Sequence, residues 1–161
     1  MRRRLLLGAA VTLAGCGFEL KRPPTLSFAT IQLAGFAPRS PLAAELKTSI
    51  DASTTTRVVE AGQGAQVVLQ AITESREKVV VAQTTASQIR EFELRLRFGF
   101  RLRSASGKEL IPESEILLTR SLTYTESAAL AKEQEEAFLY RIMQSDIVSQ
   151  VLRRLASVRL F

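Results

Sequence analysis

The sequence predicts an α/β (α+β) fold, a two-layer sandwich with two helices on one face of a mixed, mainly antiparallel sheet of about four strands. Three observations predict it. One long segment alternates strictly between apolar and polar residues, two segments have helical spacing, and the order along the chain is strand, helix, several strands, helix.

The most regular segment covers residues 90–103, where every second residue is apolar. Such a period of two places one face of a strand in a core and the other in water or against a polar partner. The apolar positions are Phe92, Leu94, Leu96, Phe98, Phe100 and Leu102.

A second long strand is expected at residues 114–125, after a turn at residues 104–108 and Pro112. Gly107 supplies the unusual backbone angle that such a hairpin turn favours. Shorter strands are expected earlier, and one of them could continue further along the chain. These are residues 26–33, 57–60 and 66–73, with the possible continuation at residues 78–82.

The first helix begins at a clear signal, with Ser40 as N-cap and Pro41 at the first helical position. Leu42, Leu46 and Ile50 follow at helical spacing, and the helix is expected to end near Ala52.

A long amphipathic helix is predicted over residues 128–157, and its apolar stripe is assigned to the core. Arg153 and Arg154 near its end suit the helix dipole. The stripe consists of Leu130, Gln134, Phe138, Ile142, Val148, Leu152 and Leu155, with Ala137, Ile147 and Val151 beside it.

The N-terminus resembles a bacterial lipoprotein signal. Three arginines at positions 2–4 precede an apolar run at residues 5–13, which is too short to span a membrane, and small residues lead to Cys16. The resemblance implies a signal peptide at residues 1–15, palmitate-type acyl chains and diacylglycerol on Cys16, and a tether at residues 16–24. Residues 25–161 then form one domain. A secreted protein with an incidental cysteine is the alternative.

Composition excludes several chemistries. The chain has no histidine and one cysteine, so triads, zinc clusters and haem ligation lack their residues. We therefore expect that the protein is not an enzyme and that it binds no metal ion and no cofactor beyond the lipid. Glu133, Glu135 and Glu136 form the densest acidic cluster, which is interpreted as complementing a helix start. Loss of the signal arginines leaves 19 basic against 16 acidic residues, which argues against a nucleic-acid partner.

A row of four arginines, Arg95, Arg97, Arg101 and Arg103, occupies the polar side of the alternating strand. On an open sheet face they could bind phosphate or carboxylate groups of a partner. The alternative is that they pair with Glu91, Glu93 and acidic residues of neighbouring strands.

Nearly all of the mature chain resembles the LPS-assembly lipoprotein family LptE. The residues that carry the resemblance are Leu-Ala-Gly-Cys-Gly-Phe-Glu-Leu at 13–20, the segment 35–46 with its Ser-Pro-Leu, and Ala-Leu-Ala-Lys-Glu at 129–133. The resemblance implies a lipid-anchored protein in the inner leaflet of the outer membrane, facing the periplasm. It would plug the lumen of the β-barrel LptD, help that barrel to assemble, and assist insertion of lipopolysaccharide (LPS).

The same resemblance implies LPS-binding cations. A lysine that opens the last helix matches Lys132, whereas the family's second basic position, near residues 82–85, has no cation here. Lys78 or Arg90 could substitute for it.

Three alternatives stay open at the level of sequence. A periplasmic lipid carrier, or the accessory lipoprotein of an ABC-type lipid transporter, would enclose an apolar pocket. An anchored enzyme would need a cleft with shifted pKa values. The export route, general secretory or twin-arginine, is also open.

Overall fold

The computed structural model describes residues 25–159, so the predicted signal peptide, Cys16 and the tether lie outside the described residues. The elements in chain order are β1 (Thr30–Ala34), α1 (Pro41–Asp51), β2 (Arg57–Val58), β3 (Val67–Gln83), β4 (Ile89–Ser104), β5 (Glu109–Thr123), a 3-10 turn (Glu126–Ala128) and α2 (Ala129–Ala156).

The predicted fold class is confirmed: two helices cover one face of a mixed sheet. The sheet has five strands in the order β2-β1-β3-β4-β5. Strand β1 runs parallel to β2 and β3, whereas β3, β4 and β5 form an antiparallel meander. The strand beyond the predicted four is a two-residue edge strand, β2, in the region where a brief extended segment was expected.

A β-bulge divides strand β3 into two halves. The register shifts between Ala71 and Thr73, which leaves Ile72 without a partner in β4. Before the bulge, Val67 and Leu69 face the helices and are buried. After it, the helix-facing positions opposite Phe98, Leu96 and Leu94 are Glu74, Arg76 and Lys78. The bulge therefore changes the helix-facing side of β3 from apolar to charged.

The core lies between the helices and the apolar side of β4. Phe98 and Phe100 are fully buried, with ring centroids 5.4 Å apart, and Phe36 stacks on Phe98 at 5.7 Å. From α2, the fully buried residues Met143, Ile147, Val151 and Leu155 complete the layer. The alternation in residues 90–103 thus identified the core-facing side of the central strand.

Helix α1 begins as predicted. The Ser40 side chain accepts a hydrogen bond from the Ala43 amide at 3.0 Å and donates to the Glu74 carboxylate, whose oxygens lie at 2.8 and 2.9 Å. Leu42, Leu46 and Ile50 are buried. Ser40 therefore both caps α1 and attaches its start to the second half of β3.

The core assignment of Leu130, Phe138 and Ile142 on α2 is wrong, because their exposed fractions are 71, 54 and 39 %. Residues four apart on a helix differ by about 40° around its axis, since each residue turns by 100°. Phe138 and Ile142 therefore lie about 180° and about 140° around the axis from the buried Ile147, on the opposite side of α2. Ile147, Val148, Val151 and Leu155 are buried as expected.

Gly35 ends strand β1. Its φ is +77°, and a Cβ atom there would lie 2.3 Å from the Ala71 carbonyl oxygen. Any other residue would force β1 away from β3, so the close approach requires glycine.

Candidate functional site

The domain has two ends, which differ in the groups they present. The proximal end holds the first described residues, the β4–β5 turn and the end of α2, where Ser27 donates to the Val158 carbonyl. The distal end holds the β3–β4 turn and the start of α2, where the Tyr124 amide donates to the Arg90 carbonyl at 2.8 Å. All three predicted LPS-binding cations, Lys78, Arg90 and Lys132, lie at the distal end.

Lys132 lies in the first turn of α2. Its ammonium donates to the Thr123 hydroxyl at 3.0 Å and to the Glu135 carboxylate at 2.8 Å, and its side chain is 19 % exposed. The contact with Thr123 connects the helix to the last residue of β5. The position is therefore held by two elements.

Lys78 lies on the helix-facing side of β3. Its ammonium donates to the Glu136 carboxylate at 2.6 Å and lies 4.3 Å from the ring centre of Phe92. Glu136 directly follows Glu135, the partner of Lys132, so the two lysines bind adjacent residues of the same helix. Lys78 and Lys132 are therefore connected through α2, although they are far apart in sequence.

Arg90 is exposed and lies at the same end of the domain. It lines an open groove of about 340 Å³ with Gln88, Ile89, Thr125, Glu126 and Ser127, just before the start of α2.

We define the distal cluster as Lys78, Phe92, Thr123, Lys132, Glu135 and Glu136. Sequence reasoning missed the aromatic part of this cluster, because Phe92 was assigned to the core. Phe92 is half-buried, and the Tyr124 ring meets it edge-on at 5.3 Å. The period-two pattern that includes Phe92 did not indicate that its ring would contact the Lys78 ammonium.

The acidic residues at the start of α2 pair with these lysines. The prediction gave Glu133, Glu135 and Glu136 a structural role at the helix start, but the first turn of α2 contains no acidic residue. Instead, Glu135 and Glu136 hold Lys132 and Lys78, while Glu133 lines an open groove of about 490 Å³ with Arg76, Lys78 and Tyr140.

The distal cluster can exchange its anions. Ion pairs that are partly exposed contribute only about 0.2–1 kcal/mol each, so an incoming phosphate can displace Glu135 or Glu136 at small cost. Ammonium groups bind phosphate oxygens by charge-assisted hydrogen bonds. An arrangement of this kind, with ammonium groups near an apolar ring, has the donors that anion recognition requires.

The basic row lies on the sheet face that the helices leave open. Arg95 pairs with Glu93 and Arg97 with Glu115, each at 2.7 Å, and the Arg101 guanidinium donates twice to the Gln70 side chain. Arg103 is exposed, and within residues 25–159 it has no hydrogen-bond or ion-pair partner. Arg95 and Arg97 therefore pair with acidic residues as the alternative stated, whereas Arg101 pairs with an amide.

Among the described residues, the pKa values of Asp51 and Tyr140 depart from their ordinary range. Burial raises the pKa of Asp51, but hydrogen bonds from Lys47 and from the Val58 amide outweigh it and hold the pKa below its usual value. Burial, followed by the nearby Glu136 carboxylate, raises the pKa of Tyr140, whose hydroxyl donates to the Glu77 carbonyl at 2.6 Å.

Over the described part of the chain, no group of three or more acidic, histidine or cysteine side chains is placed to hold a metal ion. In the same residues, neither helix has the length and apolar content needed to cross a membrane.

A family model for lipopolysaccharide assembly, LptE, matches residues 28–155. The solution structure of uncharacterized lipoprotein B from Nitrosomonas europaea is 32 % identical to the chain, with a TM-score of 0.73. The match covers 88 % of this chain and 91 % of that one. No curated protein sequence matches the chain.

Two more distant structures share the fold. Rare lipoprotein B from Shewanella oneidensis is 20 % identical, with a TM-score of 0.67 over 80 % of this chain and 94 % of that one. A minor lipoprotein from Acinetobacter baumannii is 19 % identical, with a TM-score of 0.65 over 85 % of this chain and all of that one. The match over residues 28–155 shows that the chain belongs to the lipopolysaccharide-assembly family LptE.

Proposed function

We propose that this chain is a non-catalytic outer-membrane lipoprotein that helps the β-barrel LptD to assemble, occupies its lumen as a plug and assists insertion of LPS into the outer leaflet. The proposal includes a signal peptide at residues 1–15 and a lipid anchor on Cys16. Membership of the LptE family supports LPS assembly. The more specific statements, on the plug role and on LPS contact, are supported by the geometry of the described residues.

The observation that carries the proposal is the position of the distal cluster relative to the start of the domain. Ser27 contacts Val158 at one end of α2, whereas Lys132 lies at the other end. A helix of 28 residues is about 42 Å long. A chain anchored through Cys16 would therefore present its cations on the side of the domain away from the anchor.

The open face of the sheet supports a place inside a polar lumen. The arginines on it are mostly paired with acidic or amide side chains, as with Arg97 and Glu115, so the face is polar without a large excess charge. Such a surface suits contact with polar walls and water.

The grooves on the described surface argue against the lipid-carrier alternative. A carrier needs an enclosed apolar cavity for acyl chains. The groove of about 490 Å³ at the distal end is open to solvent, and its lining includes Arg76, Lys78, Glu133 and Glu136. These charges would face the chains of a buried lipid.

The test is LPS affinity in vitro for the double variant Lys78→Glu with Lys132→Glu. We expect binding at least tenfold weaker, because both cations that would meet phosphate become anions. The control is Lys108→Glu, an exposed change in the β4–β5 turn at the proximal end, which should bind like the parent. Circular dichroism verifies folding, and an unchanged affinity of the folded double variant would remove both lysines from the site.

A membrane pull-down with the acylated protein tests the plug role with the same variants. We expect parent and double variant to recover the barrel LptD equally, because the changes alter one end of the domain. Recovery of the acylated protein without an outer-membrane barrel would count against the plug, whatever the LPS result.

A further inference from the structure

One edge of strand β3 is unpaired over its distal half. Strand β1 pairs with residues 67–70 and then ends at Gly35. Within residues 25–159, no strand pairs with that edge of β3 over residues 73–83, although β4 pairs with the other edge at every position except Val81, where the register shifts. An edge of this kind presents backbone N–H and C=O groups that a further strand can bind.

The end of this edge is not protected by charge. Residues 74–78 include both acidic and basic side chains, which discourage unspecific pairing, but Val79, Val80 and Val81 follow without a charge. Val80 and Val81 are 38 and 50 % exposed. Three consecutive β-branched residues on a free edge favour strand pairing.

A groove runs beside the same edge, between it, the start of α1 and the flank of α2. Its volume is about 620 Å³, and its lining residues are Pro41, Arg76, Gln134, Ala137, Arg141 and Gln144. Both charged residues in that lining are arginines. A side chain that entered this groove from an added strand would therefore meet positive charge.

Neither arginine has a carboxylate partner in the described part of the chain. The Arg76 guanidinium donates to the Gln144 side chain at 2.9 Å and lies 5.3 Å from the Tyr140 ring centre. The Arg141 guanidinium lies 5.9 Å from the ring centre of Phe138, which is 54 % exposed. Both guanidiniums keep donors for an acidic group.

We propose that the edge of β3 at residues 73–83 binds an extended, acidic segment of a partner polypeptide by strand addition. The added strand lies beyond the end of β1 in the sheet, and a carboxylate from it binds Arg76 and Arg141. The Glu77 carbonyl already accepts from Tyr140, but a carbonyl oxygen has a second lone pair for the added strand. Backbone pairing supplies affinity, and the arginines supply the preference for acidic residues.

The test uses the purified full-length chain in detergent and a fluorescent eight-residue peptide that alternates Glu and Val. We expect the peptide to bind and to slow amide hydrogen exchange at residues 73–83. Exchange along strand β5 (Glu109–Thr123), which forms the far edge of the sheet, should not change. A peptide with Lys in place of Glu should bind at least tenfold more weakly.

Two controls separate strand addition from simple charge attraction. The acidic peptide with alternate N-methylated residues keeps its side chains but loses backbone donors, so it should not bind. Arg141→Glu should weaken binding of the acidic peptide at least tenfold. Arg153→Glu, an exposed change further along α2, should leave the affinity for this peptide unchanged.

The proposal fails if the N-methylated peptide binds like its parent, or if protection appears on β5 instead. It also fails if residues 73–83 become protected with rising protein concentration and no peptide, because a second copy of the chain would then occupy the edge. These outcomes are independent of LPS affinity, so they do not bear on the proposed function.

Discussion

The two halves of strand β3 differ in the side chains that they present to the helices. In the proximal half, Val67 and Leu69 face the helices at 0 % exposure and contribute to the core. In the distal half, the helix-facing positions are Glu74, Arg76 and Lys78, each with a polar partner on a helix or its cap. Strand β3 therefore stops contributing apolar side chains to the core after the bulge, while Leu94 and Leu96 opposite it on β4 stay buried.

The largest effect is expected at the centre of the core. Phe98→Ala removes a fully buried ring that contacts Phe36 and Phe100, which costs about 3–5 kcal/mol of unfolding free energy in comparable cores. Urea unfolding measures the loss. The matched control is Phe138→Ala on the exposed side of α2, where we expect a change within about 0.5 kcal/mol. Equal losses would place Phe138 in the core after all.

A smaller effect is expected where α2 attaches to the distal half of β3. Tyr140→Phe removes the hydroxyl that donates to the Glu77 carbonyl, and a hydrogen bond of this kind contributes about 0.5–1.5 kcal/mol. Tyr124→Phe is the control, because the contact of its ring with Phe92 does not need the hydroxyl. Unfolding by urea should distinguish the two, and a null result at Tyr140 would mean that the distal half does not depend on this bond.

The smallest effect on stability is expected at the end of α1, where Asp51 accepts hydrogen bonds from Lys47 and from the Val58 amide. Its pKa in the fold lies below that in the unfolded chain, so the ionised form stabilises the fold above the unfolded-state pKa, and this contribution is lost as pH falls through the lowered pKa. We expect Asp51→Asn to lower unfolding free energy at pH 7 and to converge with the parent near pH 2. Glu60→Gln, an exposed control, should follow the parent at both pH values, and a constant deficit for Asp51→Asn would exclude the linkage.

The sequence correctly predicted those elements whose residues follow a single local pattern. The alternation from Phe92 to Leu102 identified the core side of β4, and Ser40 with Pro41 identified the start of α1. The errors arose where a spacing rule was extended over several turns of a helix. The spacing of four residues from Leu130 selected Phe138, which lies on the face of α2 opposite the buried Ile147.

The candidate site was predictable only in part. Lys132, Lys78 and Arg90 were selected, and the structure places them at one end of the domain. Their carboxylate partners and the ring of Phe92 depend on how β3 lies against α2, which is a tertiary property. No spacing in the sequence reports that Lys78 lies next to a residue 58 positions later, Glu136.

The strand order also has a consequence for how the domain folds. Strands β3, β4 and β5 are sequential neighbours joined by turns at residues 84–88 and 105–108, whereas Ile31 in β1 must find Val67 in β3, 36 positions away. Closing the longer loop costs about 2 kcal/mol more chain entropy than closing a five-residue turn. We infer that the meander forms first and that β1 joins it late. Strand β2 pairs only with β1, so both strands nearest in sequence to Cys16 join the sheet after the meander.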